Sequence, residues 1–236
     1  MNTINKEIGN KIKTFRKCSG MSIQQLADTL YKSKATVSKY ESGDISIDVV
    51  TLYKLAEALN IQVEQLLHLE DKKSNNLLTN SIPSSFFKNS ARFYTYFYDG
   101  RNNKLVRCVL DILTRTDSNS YKTMLYMNVN DYINYQICEN TYWGYTEHYD
   151  TLTTIMLKNQ ATPLENITIN ILASFLESEK KVGLMSGVSF RPFMPIALKM
   201  LFSKVPLSED QALINELKIS KDDIRIMKIF NMLAFT

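Results

Sequence analysis

From Ile4 to Leu67 the apolar residues recur every three or four positions. From Ala91 onward they alternate with polar ones. The first pattern predicts helices and the second strands. Ile4, Ile8, Ile12 and Phe15 share one face of a first helix, which Ser19-Gly20 ends. Ser22 with Gln25 makes a capping box for a second helix, whose inward positions are Leu26, Ala27 and Leu30. Ser33 caps a third, with Val37 and Tyr40 inward and Gly43 as its end. After a loop from Asp44 to Ile47, Asp48 caps a fourth helix, with Ile47 and Leu52 as a hydrophobic staple. Its expected inward face is Val49, Leu52, Leu55, Ala56 and Leu59, and Asn60 stops it. Val63 to His68 adds a fifth, with Leu66 and Leu67. Helices this short do not persist alone in water, so the five are expected to form one bundle.

Residues 70–90 are polar, rich in Asn and Ser, and read as a linker, with Phe86 and Phe87 docking on the next domain. RFYTYFYD and KLVRCVLDILT flank Asp99-Gly100 and predict a hairpin. Thr116 to Ser120 is the next turn. YKTMLYMNV, YINYQICE, NTYWGYTEHY, TLTTIMLKN, ENITINILAS and VGLMSGVSF are further strands. Turns about every ten residues predict an antiparallel sandwich or barrel. Pro192 and Pro195 bracket a bend, and IALKMLF beyond it fits helix or strand equally. Ser208 is expected to cap a helix over EDQALINEL, and Ser220 another over KDDIRIMKIFNML. The expected class is thus multidomain α + β. A helical domain spans 1–69, a linker 70–90, an antiparallel β domain 91–207 and C-terminal helices 208–236.

Composition changes this picture little. The 236 residues carry a net charge of only +4, and up to residue 70 nine Lys and Arg face eight Asp and Glu. The local pattern matters more: from Thr29 to Tyr40 there are lysines at 32, 34 and 39 and no acid. A local basic surface beside small polar residues suits phosphate and groove contact. The N-terminus lacks a signal-peptide apolar segment, and the apolar runs are too short to span a bilayer, so a cytoplasmic protein with no membrane partner is expected. Cys18, Cys108 and Cys138 are expected to be reduced thiols, and with only His68 and His148 no metal or other cofactor is called for. Seven glycines and no glycine-rich loop exclude a phosphate-cradling enzyme motif. Glu147, His148 and Asp150 read as a surface cluster rather than a catalytic one.

Arg16, then S-I-Q-Q-L-A, then S-x-x-T-V-S-K-Y-E-S-G, then T-L-Y-K-L-A-E-A-L stand in an order and spacing that resemble the helix-turn-helix domain of the Cro/CI-type (XRE) regulators. The resemblance covers residues 8–67, about a quarter of the chain. It implies operator binding as a dimer, with the third helix in the major groove. It also implies that Ser33 reaches a phosphate, that Lys34 and Ala35 reach base edges, and that Ser38 and Lys39 lie one turn further on. The implied DNA-facing set is Ser22, Gln24, Lys32, Ser33, Lys34, Ala35, Thr36, Ser38 and Lys39. Arg16 and Glu41 hold the places of a structural ion pair. Two positions depart from the family pattern. Tyr31 stands where the family often has Gly, and Ile23 where it often has a backbone-binding Gln, which leaves that contact to Gln24.

The expected function is therefore a sequence-specific DNA-binding transcriptional regulator, a homodimeric repressor on double-stranded DNA, and not an enzyme. Residues 91–207 carry no motif that ties them to a named family and are expected to sense a ligand or to dimerise. Phe93, Tyr96, Tyr126, Tyr142 and Trp143 are the candidate lining of a pocket for a small apolar effector. The alternative is an antitoxin-like or adaptor protein whose β domain binds a protein partner through a flat aromatic patch.

Overall fold

The computed structural model describes residues 2–67, 85–116, 119–173, 178–190 and 193–234. Residues 70–84 of the expected linker, His68, residues 117 and 118 of the Thr116–Ser120 turn, the end of ENITINILAS and Pro192 fall outside them. The chain divides into two units, residues 1–72 and 73–236.

The first unit holds α1 (Asn2–Cys18), α2 (Ile23–Thr29), α3 (Lys34–Ser42), α4 (Val49–Ala58) and α5 (Val63–Leu67). Ile12, Phe15, Leu26, Ala27, Leu30, Val37, Leu52, Leu55, Ala56, Leu59 and Leu66 form its core. The side-chain caps are in place. Ser22 accepts from the Gln25 N–H within a capping box, Ser33 from the Thr36 N–H, and Asp48 from the Thr51 N–H. Gly43 closes α3 in the left-handed region, at φ 73°. Helices α1 and α3 approach closely at Gly9, where a Cβ would stand 2.4 Å from the Tyr40 carbonyl oxygen. Val49, expected inside, is 69% exposed. It is the first residue after the cap of α4, beyond the end of the core, and Val50 and Tyr53 beside it are exposed too. Ile4 and Leu67, at the two ends of the unit, are exposed as well.

The second unit is a closed antiparallel barrel, not a sandwich. Its strands are β1 (Arg92–Asp99), β2 (Lys104–Arg115), β3 (Ser120–Val129), β4 (Cys138–His148), β5 (Leu152–Asn159), β6 (Asn166–Leu172), β7 (Lys180–Phe190) and β8 (Phe193–Ser203). Each strand pairs with the next, and β1 pairs with β8 through Tyr94 to Ser203, Thr95 to Phe202 and Tyr96 to Leu201. Closure removes both sheet edges. Strand alternation sends Phe93, Phe97, Cys108, Leu110, Leu125, Ile155, Ile169 and Phe202 inward. A single turn of 3-10 helix, Ser85–Phe87, delivers Phe86 and Phe87 into the same cluster, where both are fully buried. IALKMLF is strand, within β8.

YINYQICE is not a strand up to Ile137. Asp131 accepts from the N–H groups of Ile133 and Asn134 and turns the chain, and only Cys138 and Glu139 join β4. The loop lays Tyr132 and Tyr135 over the outer face of the barrel, beside Tyr94, Val109 and Tyr126. Two helices come after the barrel, α6 (Gln211–Leu217) and α7 (Lys221–Phe230). Asp210, not Ser208, caps α6, and Leu213 and Leu217 pack on Tyr96 and Leu201. Ser220 caps α7 in a capping box with Asp223.

Candidate nucleic-acid interface

Helix α3 has two unlike sides. Val37, Tyr40 and Glu41 are buried, while Lys34, Ala35, Ser38 and Lys39 are exposed. Fold and exposed surface thus come from interleaved positions of one nine-residue helix. The sequence ties α3 to α1 through a buried ion pair. The Arg16 Nε donates to Glu41 Oε1 at 2.5 Å and its Nη2 to Oε2 at 3.0 Å. A third donor, Nη1, reaches the Met21 carbonyl at 2.7 Å. The Glu41 carboxylate holds the Arg16 guanidinium firmly in its charged form. Two parallel bonds of a planar guanidinium on a carboxylate define an orientation as well as a distance. The pair therefore sets the pitch at which α3 is presented.

Ser33 is exposed and its Oγ accepts from the Thr36 N–H at 3.0 Å. Its Oγ also lies 2.8 Å from Thr36 Oγ1. With Thr36 as donor in that pair, the Ser33 hydroxyl proton is free for an outside acceptor. Thr36 itself is half-buried. On α2, Ser22 and Gln24 are exposed, and Gln24 spends one amide N–H on Asp28 at 2.8 Å, which leaves the other. Lys32 is exposed in the turn before α3, close enough to Asp48 to help hold that carboxyl below its usual range, although the Thr51 hydroxyl bond is the larger cause. Eight of the nine candidate positions are thus exposed; Thr36 is the half-buried one.

The candidate pocket residues of the second unit do not gather. Phe93 and Tyr142 belong to the barrel interior. Tyr96 lies on the outer face under α6, where its hydroxyl accepts from Tyr132 and from the Leu207 N–H, both at 2.9 Å. Tyr126 is also outside, packed on Tyr135, and Trp143 is a third exposed on the outer surface of β4. The reason is strand parity. Positions 93 and 142 point in; 96, 126 and 143 are offset by an odd step from the inward set of their strands.

His148 is not a surface residue. It is 1% exposed, its Nδ1 lies 2.9 Å from Thr153 Oγ1, and its ring packs on Phe87 and Tyr121. Burial pushes its pKa down to about 4. The same parity could have placed it, because counting in twos from Tyr142 reaches His148. A second buried polar group escaped sequence reasoning altogether. Asp111, fully buried on the outer face of β2, accepts from Arg92 Nε at 2.8 Å and from the Tyr135 hydroxyl at 2.7 Å. Desolvation, and then the Asp111 charge, raise the Tyr135 pKa well above the phenol range. Burial drives the Cys108 thiol up to about 12. Among the described residues no three His, Cys, Asp or Glu gather to hold a metal ion, and no helix is long and apolar enough to cross a membrane.

A helix-turn-helix family, HTH_3, matches residues 12–66. The chain is 36% identical over 74 residues to the competence pilus inhibition repressor of Acinetobacter baylyi, covering 30% of this chain and 67% of that protein. Among solved structures, the restriction-modification controller protein C.AhdI from Aeromonas hydrophila is 27% identical, with 26% of this chain and 94% of that one covered and a TM-score of 0.26. An HTH_3 family transcriptional regulator from Vibrio cholerae is 15% identical, with 86% and 90% covered and a TM-score of 0.27. The capped α2–turn–α3 pair and the Arg16–Glu41 brace, with the family and repressor matches, place the chain in the HTH_3 helix-turn-helix family of DNA-binding transcriptional regulators.

Proposed function

We propose that the chain is a cytoplasmic, homodimeric repressor that lays α3 in the major groove of a pseudo-palindromic operator. The observation that carries this reading is the two-sided α3: buried Val37, Tyr40 and Glu41 against exposed Lys34, Ala35, Ser38 and Lys39. Lys34 and Ala35 face base edges from the first turn. Ser38 and Lys39 come one turn later, and Ser22, Gln24, Lys32 and Ser33 reach phosphates. With the first unit nearly neutral, few phosphate contacts are available, and pairing two reading heads supplies affinity through effective concentration. The similarity to a competence pilus inhibition repressor supports the repressor sense. The barrel has a dimerising or effector-binding role, not a catalytic one.

The test starts from selection of a random duplex library by the full-length chain. A single enriched, two-fold related sequence is expected, with binding that weakens steeply as salt rises. Lys34→Ala or Lys39→Ala should cost about 1–3 kcal/mol where a bidentate base contact is lost. No enrichment, or enrichment without salt dependence, overturns the reading.

One observation favours a second reading, in which the barrel binds a protein. Tyr145 of β4 pairs with Met156 of β5, and both are exposed on the outer face together with Trp143. Such an apolar patch fits an adaptor or antitoxin-like partner. Trp143 is the only tryptophan, so its fluorescence reports directly on whether this face becomes covered.

A further inference from the structure

We propose that Tyr31 is a DNA-contacting residue whose hydroxyl donates a hydrogen bond to a phosphate oxygen of the operator backbone. The proposal rests on the reading of this chain as a DNA-binding regulator.

Two helices of the first unit end in the same way. At the end of α2 the Lys32 N–H donates to the Ala27 carbonyl at 2.9 Å and the Tyr31 N–H to the Asp28 carbonyl at 3.1 Å. At the end of α4 the Ile61 N–H donates to the Ala56 carbonyl at 2.9 Å and the Asn60 N–H to the Glu57 carbonyl at 3.0 Å. Both are the Schellman arrangement, in which one residue must take up the left-handed backbone. At α4 that residue is Asn60, φ 53°; at α2 it is Tyr31, also φ 53°. Asparagine tolerates this conformation because its short polar side chain bonds locally, whereas a bulky side chain is strained in it.

Among the described residues, the other non-glycine positions with positive φ are Asn60, Asn89, Asn103, Asn128 and Asn231. Tyr31 is the exception to an otherwise uniform choice. Burial does not account for it, since the residue is 92% exposed. Its side chain makes no hydrogen bond, ion pair or ring contact with the described residues. An aromatic held against its backbone preference, and contributing nothing to the core, is explained by something outside the domain.

The neighbourhood says what that is. Tyr31 is followed by Lys32, Ser33 and Lys34, all exposed, at the entry to α3. A long exposed side chain with a hydroxyl at its tip, followed in the chain by two exposed lysines, suits an anionic partner. A phenol is a donor that can serve a phosphate oxygen. It lies before the first turn of α3, outside the stretch that reaches base edges, so its contact fixes the pose without reading sequence.

The experiment uses the full-length chain and the duplex enriched by selection. Tyr31→Asn places in α2 the residue that already closes α4. It should leave the far-UV circular dichroism unchanged and raise or preserve the unfolding midpoint, while weakening the duplex by about tenfold. Tyr31→Phe should lose about the same affinity, because the hydroxyl is what is removed. In both variants the slope of log affinity against log salt should match the wild type, since a neutral donor displaces no counterion, whereas Lys32→Ala, which removes a cation placed at a phosphate, should flatten it by about one. The loss should also be equal on duplexes altered at single base pairs. Wild-type affinity in either variant overturns the proposal, as does a drop in the unfolding midpoint of Tyr31→Asn. Failure of the wild-type chain to bind any selected duplex overturns the DNA-binding reading instead.

Discussion

Replacing Glu41 with Gln should destabilise the first unit far more than its position on a nine-residue helix suggests. Arg16 and Glu41 are 7% and 5% exposed, and the guanidinium makes two bonds to the carboxylate and one to the Met21 carbonyl. At an effective dielectric near 20, unit charges at about 3–4 Å attract by roughly 4–5 kcal/mol. Desolvating the two ions opposes this with a penalty of several kcal/mol each, so the intact pair adds little net stability. Removing one partner is different. The guanidinium then stays buried with one carbonyl and a neutral amide, at a cost of about 3–5 kcal/mol. A domain whose whole stability is about 5–15 kcal/mol feels that strongly. Guanidinium unfolding followed by helical circular dichroism isolates the effect, because the second unit is chiefly strand. The double variant Arg16→Met with Glu41→Leu, which removes both charges, should recover most of the loss. A cost below about 1 kcal/mol for Glu41→Gln, or a double variant no better than the single one, would refute the reasoning.

Packing and titration give two further expected outcomes. Gly9→Ala should destabilise the first unit by about 1–3 kcal/mol and also lower DNA affinity, because the added Cβ meets the Tyr40 and Glu41 carbonyl oxygens at 2.4 and 2.7 Å and tilts α3; equal stability in urea denaturation would contradict it. His148, buried with its pKa depressed to about 4 against an ordinary 6.5, binds its proton more readily in the unfolded chain. Its stabilisation of the barrel is therefore full above about pH 6.5 and is lost as pH falls toward 4, by about 3 kcal/mol in all. Denaturation midpoints of the wild type and of His148→Gln across that range should converge toward low pH, and parallel curves would rule it out.

Local chemistry carried most of the first unit. Ser22, Ser33, Asp48 and Gly43 are helix boundaries whose signals lie within a few residues, so the sequence names them directly. The buried positions of α2 and α3 obey the helical period for the same reason. In the second unit the alternation is legible strand by strand, and Asp99-Gly100 marks its hairpin. Closure is not, because whether β1 meets β8 depends on twist and tilt accumulated over eight strands. The 132–137 loop misleads for a related reason. Its apolar and polar residues alternate like a strand, yet Tyr132 and Tyr135 are apolar to cover the outside of the barrel rather than to fill it.

The division at the candidate interface is similar. The sequence alone determined that a capped helix would show lysines and small polar residues at 34, 35, 38 and 39, since one helical period separates them from Val37 and Tyr40. Only the tertiary structure decided the rest. It gave the Arg16–Glu41 pair, which the family resemblance implied, its burial and its two parallel bonds across 25 residues of chain. It sent Tyr96, Tyr126 and Trp143 to the outer face of the barrel and His148 to its inside. It also left the ring of Tyr31 in solvent on a left-handed backbone. Spacing along one helix or strand is a local property of the chain. Which elements meet, and which side of a closed sheet becomes the inside, depends on every other strand and helix at once.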